Sequence, residues 1–340
     1  MNKKIFKVTF ALVLVLSFSL VAASPAIAAR PIHVYSGDSI QAAIDSASNG
    51  AIIYVHDGEY HENIVIDGID IKLIAVGDVT IDGATNIYAN KTIAIYNSTC
   101  TIDGFTVKSN GTAIYAKGAS WEGQGEVKVT IINNYVSDYI KSGIIVNGDL
   151  AVGFVKGNVV KGRGHLPQGD YGQNGIQFGW DSTGQIHQNQ VSDNWYDGPY
   201  WTACGILILQ ASNISVKNNE VNNCQSGITV ETQSYGGADT ASYNVVANNS
   251  ILNSFWGITV AAYALPWSES DGFANNNKVI NNIVSSDGGD CGIYIGASYW
   301  GGSYTAEAVN NKAINNAISG FEYAIYDEGT ATKLANAEAP

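Results

Sequence analysis

Two short phrases recur along the 340-residue chain in strict alternation. One is Gly-Ile, any residue, then an apolar one: GIIV at Gly143, GIQF at Gly175, GILI at Gly205, GITV at Gly227 and Gly257, GIYI at Gly292. AIYA at Ala113 and AIYD at Ala324 flank the series as weaker copies. The other is an asparagine two residues before a Val or Ile, at Asn134, Asn158, Asn189, Asn219, Asn249, Asn282 and Asn316. Each phrase occurs once per unit of roughly 22 to 35 residues, the period range of stacked repeat architectures. The units hold short Val/Ile-rich strands and no helical pattern, which describes an all-β solenoid, a parallel β-helix. At about 4.8 Å per coil, eight or so coils make a rod roughly 40 Å long. Asparagine suits the tight turns, because it tolerates left-handed backbone angles and its amide can stack on the next coil. Ile144, Ile176, Ile206, Ile228, Ile258 and Ile293 are expected to form one inward apolar column.

A stack of coils leaves an unpaired strand edge at its end, and GDSIQAAIDSASNG is suited to cover it. The pattern predicts a capping helix over 39–48, with Asp38 as N-cap and Gln41 three residues on. Ile40, Ala43, Ile44 and Ala47 form its apolar stripe, Asn49-Gly50 stops it, and the first strand follows at 51–55. The expected organisation is a cap region at 29–50, a β-helix at 51–328 and a C-terminal tail at 329–340. Before these, Lys3, Lys4 and Lys7 precede the apolar run 8–23 and the small-x-small site Ala26-Ile27-Ala28. That is the form of a secretory signal peptide, residues 1–28, so the mature protein is expected outside the cytoplasm: secreted, at the cell surface or periplasmic. No other apolar run reaches membrane length, and a monomer without membrane insertion is expected.

A net charge of −13 argues against a nucleic-acid partner, since phosphates require a basic face. Four cysteines, Cys100, Cys204, Cys224 and Cys291, are too few for a disulfide scaffold. Cys204 and Cys224 fall in neighbouring loops, which leaves a disulfide between them open, whereas Cys204 and Cys291 should lie about three coils apart and cannot bond. The stretch VHDGEYHENI holds His56, Asp57, Glu59, His61 and Glu62, but its His-x4-His lies on a strand and turn and is read as structural. Acidic loops such as SESDG can offer oxygens to Ca2+, although no recognised loop spacing is present; no other cofactor is implied.

SIQAAIDSASNGAIIYVHDGEYHENIVI followed by the Asn and Gly-Ile repeats resembles the pectin lyase-like superfamily of right-handed parallel β-helices. The resemblance covers essentially the whole mature chain and implies the fold, not one chemistry, because that superfamily spans lyases, hydrolases, esterases, epimerases and non-enzymes. The catalytic pattern of its methylesterases is absent here. The resemblance further implies that the Gly-Ile strand is the floor of a substrate groove whose walls are the flanking loops.

Loop lengths locate those walls. From turn Asn to the next strand anchor the spacing is 8 to 10 residues, except 17 and 16 in the coils ending at Gly175 and Gly205. From strand anchor to the next Asn it rises from 14 or 15 to 21–25 after Ala113, Gly227, Gly257 and Gly292. One wall therefore comprises 161–174 and SDNWYDGPYWTACG, with Trp195, Tyr196, Tyr200 and Trp201. The other holds Tyr235, Trp267 and Trp300, with Trp121 and Trp180 nearer the start. By alternation the floor reads Ile145, Gln177, Leu207, Thr229, Thr259 and Tyr294, beside a second row of Asn147, Gly179, Leu209, Glu231, Ala261 and Gly296. The floor around Gln177, Thr229 and Glu231 is the expected centre, with Trp180, Asp181, Tyr196, Asp197, Trp201, Tyr235 and Trp267 contacting a glycan. The aromatic rings of the 192–205 loop equally suit a small local core over Leu207 and Leu209.

Three functions stay open. The first is a lyase or epimerase acting on uronic-acid glycans: in such enzymes a cation neutralises the sugar carboxylate, a base takes the C5 proton and an acid serves the leaving oxygen. Arg163, the one arginine besides Arg30 in the mature chain, with His165, Asp170 and Tyr171, supplies those groups; Arg163 and Asp170 also suit a simple surface clasp. The second is a glycoside hydrolase built from a pair among Asp170, Asp181, Asp193, Asp197 and Glu231. The third is a non-catalytic glycan-binding surface or matrix protein.

Overall fold

The computed structural model describes residues 30–83, 91–119, 125–165, 172–198, 202–233, 239–299 and 303–338. The expected signal peptide lies outside them. Every strand pairing is parallel, and the chain winds as a right-handed parallel β-helix with three sheets running along the rod. One sheet stacks Lys91–Tyr96, Thr112–Lys117, Ser142–Asn147, Asn174–Gly179, Cys204–Leu209, Ser226–Thr232 and Trp256–Ala264. It continues into the second half of Ile283–Tyr299 and then of Lys312–Asp327. No helix of the described residues is long and apolar enough to cross a membrane.

The register places Ile144, Ile176, Ile206, Ile228, Ile258 and Ile293 in one column, each fully buried. The glycine before each isoleucine has a steric reason. A Cβ on Gly205 would stand 2.5 Å from Val221 Cγ1 and 2.8 Å from the Gly227 carbonyl. The corner between two sheets has no room for a side chain there. Cys204, Ser226, Trp256 and Cys291 share a column, so the two cysteines are three coils apart as the spacing implies. All four cysteines are buried free thiols, including Cys204 and Cys224.

The asparagine turns form a continuous buried ladder. Asn134, Asn158, Asn189, Asn219, Asn249, Asn282 and Asn316 each pass a side-chain amide to the next coil's Oδ1 at 2.9–3.0 Å, ending on Asn336 at 2.8 Å. A second, shorter ladder joins Asn244, Asn277 and Asn311 through backbone N–H groups. Residues read above as wall loops therefore coil in their own right, and Gly272–Phe273 pairs with Ala306–Glu307 in a separate two-stranded sheet.

The ends differ from expectation. A strand at Ile32–Val34 pairs with Ala51–Tyr60, so the stack begins before the helix. The helix itself is short, Ile40–Asp45, and buries Ile40 and Ile44. Its N-cap is Ser39, whose hydroxyl accepts from the Ala42 N–H; Asp38 instead accepts from the Tyr35 N–H. Glu62 explains the shift. Its carboxylate accepts from the Ile40 and Gln41 N–H groups, so the first turn is satisfied from the next coil. At the other end, the expected tail carries a strand, Lys333–Glu338, paired with Lys312–Asp327.

Candidate active groove

The floor rows have the register read from the sequence. Ile145, Gln177, Leu207, Thr229, Thr259 and Tyr294 align in one row, and Asn147, Gly179, Leu209, Glu231, Ala261 and Gly296 in the next. Most of the first row is recessed: Gln177 is 6% and Thr229 4% exposed. Their polar groups are engaged with neighbours. Asn174 donates to Gln177 Oε1 at 3.1 Å, and Gln177 donates to Asn147 Oδ1 at 3.4 Å. Thr229 shares a hydrogen bond with Ser226 at 2.7 Å and lies 3.5 Å from Cys204 Sγ.

Glu231 is the carboxyl of these two rows. It stays half-buried on the strand Ser226–Thr232. Burial pushes its carboxyl up to about 7, against the opposing bond from the Gln233 amide at 3.1 Å. Tyr263, half-buried on the next coil, has its phenol pushed up by burial first and then by Glu231, Tyr294 and Cys204. Tyr263 went unread in the sequence because it falls where the floor strand runs on into an insertion. Only the length of the strand Trp256–Ala264 reveals that it still belongs to the sheet.

The rim preceding the floor strands brings three predicted residues close together. His165 Nδ1 lies 2.7 Å from Asp197 Oδ1, and its ring packs 4.7 Å from that of Trp195. The pair joins successive coils. Residues 161–164, read above as loop, belong to the strand Val159–Gly164. Arg163 is exposed on that strand and its guanidinium donates to Asn110 Oδ1 at 3.1 Å, two coils upstream. The floor strand separates it from Glu231, five residues across or about 17 Å, and Glu231 also lies two coils downstream. Arg163 and Glu231 thus occupy different parts of the groove. Tyr196 is a correction: at 1% exposure it is buried beneath the rim as local core rather than presented on the wall. Asp193 is absorbed into the turn, accepting from Asn223 Nδ2 at 2.7 Å.

On the opposite rim, Trp180 and Asp181 occupy consecutive left-handed positions, with φ of 51° and 62°. Burial, and then Asp239 and Asp149, raises the Asp181 carboxyl. Trp267 is 58% exposed on the same side, open to a ligand. Asp170, Tyr171, Trp201 and Tyr235, together with Trp121, Tyr200 and Trp300, lie outside the described residues. Among the described residues one group has metal-ligand spacing. Glu59, His61 and Asp82 place donor atoms within 4.8 Å of one another, far upstream of Glu231 and partly or fully exposed.

Comparison with known proteins agrees with the coil geometry. Residues 91–264, just over half of the chain, match the family described as right handed beta helix region. Among solved structures, a polygalacturonase from Erwinia carotovora ssp. carotovora superposes with a TM-score of 0.55 at 12% identity, over 91% of this chain and 96% of that one. The complex of XylC with xylose superposes with a TM-score of 0.54 at 11% identity, over 86% of this chain and 76% of that one. No curated protein matches the chain significantly in sequence. The coils, their register and the family match agree, and the chain belongs to the right handed beta helix region family.

Proposed function

We propose that this protein is exported and acts on a polysaccharide laid along the groove, with Glu231 as its acid–base group. The observation that carries the reading is the Glu231 carboxyl, half-buried on the floor and pushed up to about 7. Such a group exists in both protonation states near neutrality, the condition under which a carboxyl serves best as a general acid or base. Donating a proton to a glycosidic oxygen is the step it suits, in hydrolysis or in elimination. Aromatic residues on both sides of the floor, Trp195 and Trp267, suit the flat faces of sugars. The polygalacturonase and the xylose complex of XylC, which share the fold, are consistent with a saccharide ligand.

Of the chemistries open from sequence, the placement of Glu231 favours bond cleavage over a scheme centred on Arg163. The test is a panel of neutral and acidic polysaccharides, read for new reducing ends and for the ultraviolet absorbance of unsaturated ends. Glu231→Gln should lower product formation by about 100-fold or more, the usual contribution of a general acid. Full activity in that variant would remove Glu231 from the chemistry. Wild-type protein that binds a glycan and leaves it unchanged would make the groove a binding site alone.

A further inference from the structure

One face of the rod carries a charge opposite to that of the whole chain, whose net charge is −13. It is the sheet that follows the floor strand in each coil. Register places Lys278, Lys312 and Lys333 side by side in one outward row, on successive coils. Upstream, the neighbouring row runs Lys156, His187, Lys217, again on successive coils. Lys156, Lys278, Lys312 and Lys333 are exposed, and Lys217 is half-buried. The alternate positions, Val155, Ile186, Val216, Val279 and Ala313, are buried in the core, which fixes the lysines outward. Nothing on this face balances them. Residues 151–156, 183–187, 214–217, 245–247, 278–280, 312–314 and 333–335 include no Asp or Glu. Among the described residues none of these lysines pairs with a carboxylate, whereas Lys128 and Lys161 do. Like charges in register on adjacent strands oppose folding. Shielding of an open sheet edge accounts for Lys333 on the last strand, but Lys278 and Lys312 have a paired strand on either side. His187 feels the local field: burial lowers its imidazole, and Lys217 and then Lys156 lower it further.

We propose that this face docks the protein on an anionic phospholipid surface, leaving the groove, on a different sheet, open to its substrate. The cations are spread rather than gathered: from Lys156 to Lys333 they span six coil steps, about 29 Å, and two rows. A planar array of negative headgroups meets both rows at once, whereas a polymer strand laid along the rod follows one. Lysine suits such a contact, because its ammonium is a point charge on a flexible stem and needs no bidentate partner. Basic side chains held close to an anionic leaflet are drawn to it, and the attraction falls off within a Debye length. That length is about 8 Å at physiological salt, so the acids on the other sheets are largely screened from the contact.

Co-sedimentation of the protein secreted by an expression host tests the proposal, with vesicles of pure phosphatidylcholine and of an equimolar phosphatidylcholine–phosphatidylglycerol mixture. Binding to the anionic vesicles should be about 10-fold or more stronger, and should weaken as salt is added. The triple variant Lys278→Gln, Lys312→Gln, Lys333→Gln should lose that preference without a fall in Tm, and the corresponding Arg triple should keep it. Removing the same charge from other parts of the rod, by Lys108→Gln, Lys141→Gln, Lys161→Gln, should leave it intact. Equal binding to both vesicles, binding to neither, or an anionic preference that survives the first Gln triple would overturn the proposal. A preference lost equally in the second Gln triple would overturn it too, because net charge alone would then govern the contact. So would binding to soluble dextran sulfate without binding to vesicles, which would make the partner a polymer. None of these outcomes bears on Glu231, whose role is read from product formation.

Discussion

Asn189 donates both its backbone N–H and its side-chain amide to the single Oδ1 of Asn219, each at 3.0 Å. Asn219 repeats the arrangement on Asn249 and also donates to the Ile186 carbonyl at 2.9 Å. All of these atoms are buried, so each group has no water to fall back on. Asn219→Ala should therefore strand two donors on Asn189 and take a donor from the Ile186 carbonyl, while Asn249 Oδ1 keeps the backbone N–H of residue 219. At about 1–3 kcal/mol for each stranded buried group, and without strict additivity, a loss of about 3 kcal/mol or more is expected. Denaturant unfolding measures it. A loss below about 1 kcal/mol would mean that the ladder relaxes around the gap.

The glycine of each Gly-Ile pair should be equally intolerant, for a steric reason. At Gly205 an added methyl meets Val221 Cγ1 at 2.5 Å, the Gly227 carbonyl at 2.8 Å and Cys224 Sγ at 3.1 Å. The carbonyl belongs to a strand held on both sides and cannot retreat. Gly205→Ala should destabilise by about 1–3 kcal/mol, the range for overpacking. Ordinary stability in this variant would show that the corner has slack.

These two repeats explain why the floor was legible. Their spacing sets the register, and with a side-chain period of two the outward rows follow. Gln177, Thr229 and Glu231 fell where alternation puts them. The side-chain environment was less accessible. Tyr196 looks like Trp195 beside it in sequence, yet it is buried at 1% exposure while Trp195 stays half-buried. Ser39 rather than Asp38 caps the helix because Glu62, 22 residues from Ile40, takes over part of the first turn. The second asparagine ladder was hidden by abundance, since Asn244, Asn277 and Asn311 stand in segments already rich in asparagine.

The cysteines should be chemically silent in the native state. Burial pushes the Cys224 thiol up to about 12 and Cys291 up to about 11, and it raises Cys100 and Cys204 as well. A thiol must ionise to attack an alkylating agent. Native protein treated with iodoacetamide near pH 8 should therefore show no modified cysteine by mass spectrometry, and denatured protein should show four. Rapid native labelling of Cys204 would mean that the floor beside Thr229 opens to solvent.

Glu231 gives the groove a pH signature that is independent of any substrate. In the folded protein its carboxyl titrates at about 7, against 4.5 for an ordinary glutamate. Below about pH 4.5 the folded and unfolded chains both hold the proton, and the contribution to stability is fully present. Between about 4.5 and about 7 the unfolded chain releases a proton that the folded chain keeps, so stability falls as pH rises. Above about 7 both forms are ionised and the loss is complete. At ~1.4 kcal/mol per unit, the full span is on the order of 3 kcal/mol. Glu231→Gln keeps the shape and cannot ionise, so it should match wild type near pH 4.5 and exceed its stability at about pH 8 by up to that amount. Wild-type product formation should decline through the same interval if the proton is donated to the leaving oxygen, and rise through it if Glu231 takes a proton instead. Unfolding midpoints of both proteins across this range are the measurement. Parallel curves for the two would show that the Glu231 carboxyl titrates as if in water, and the acid–base reading of the groove would fall with it.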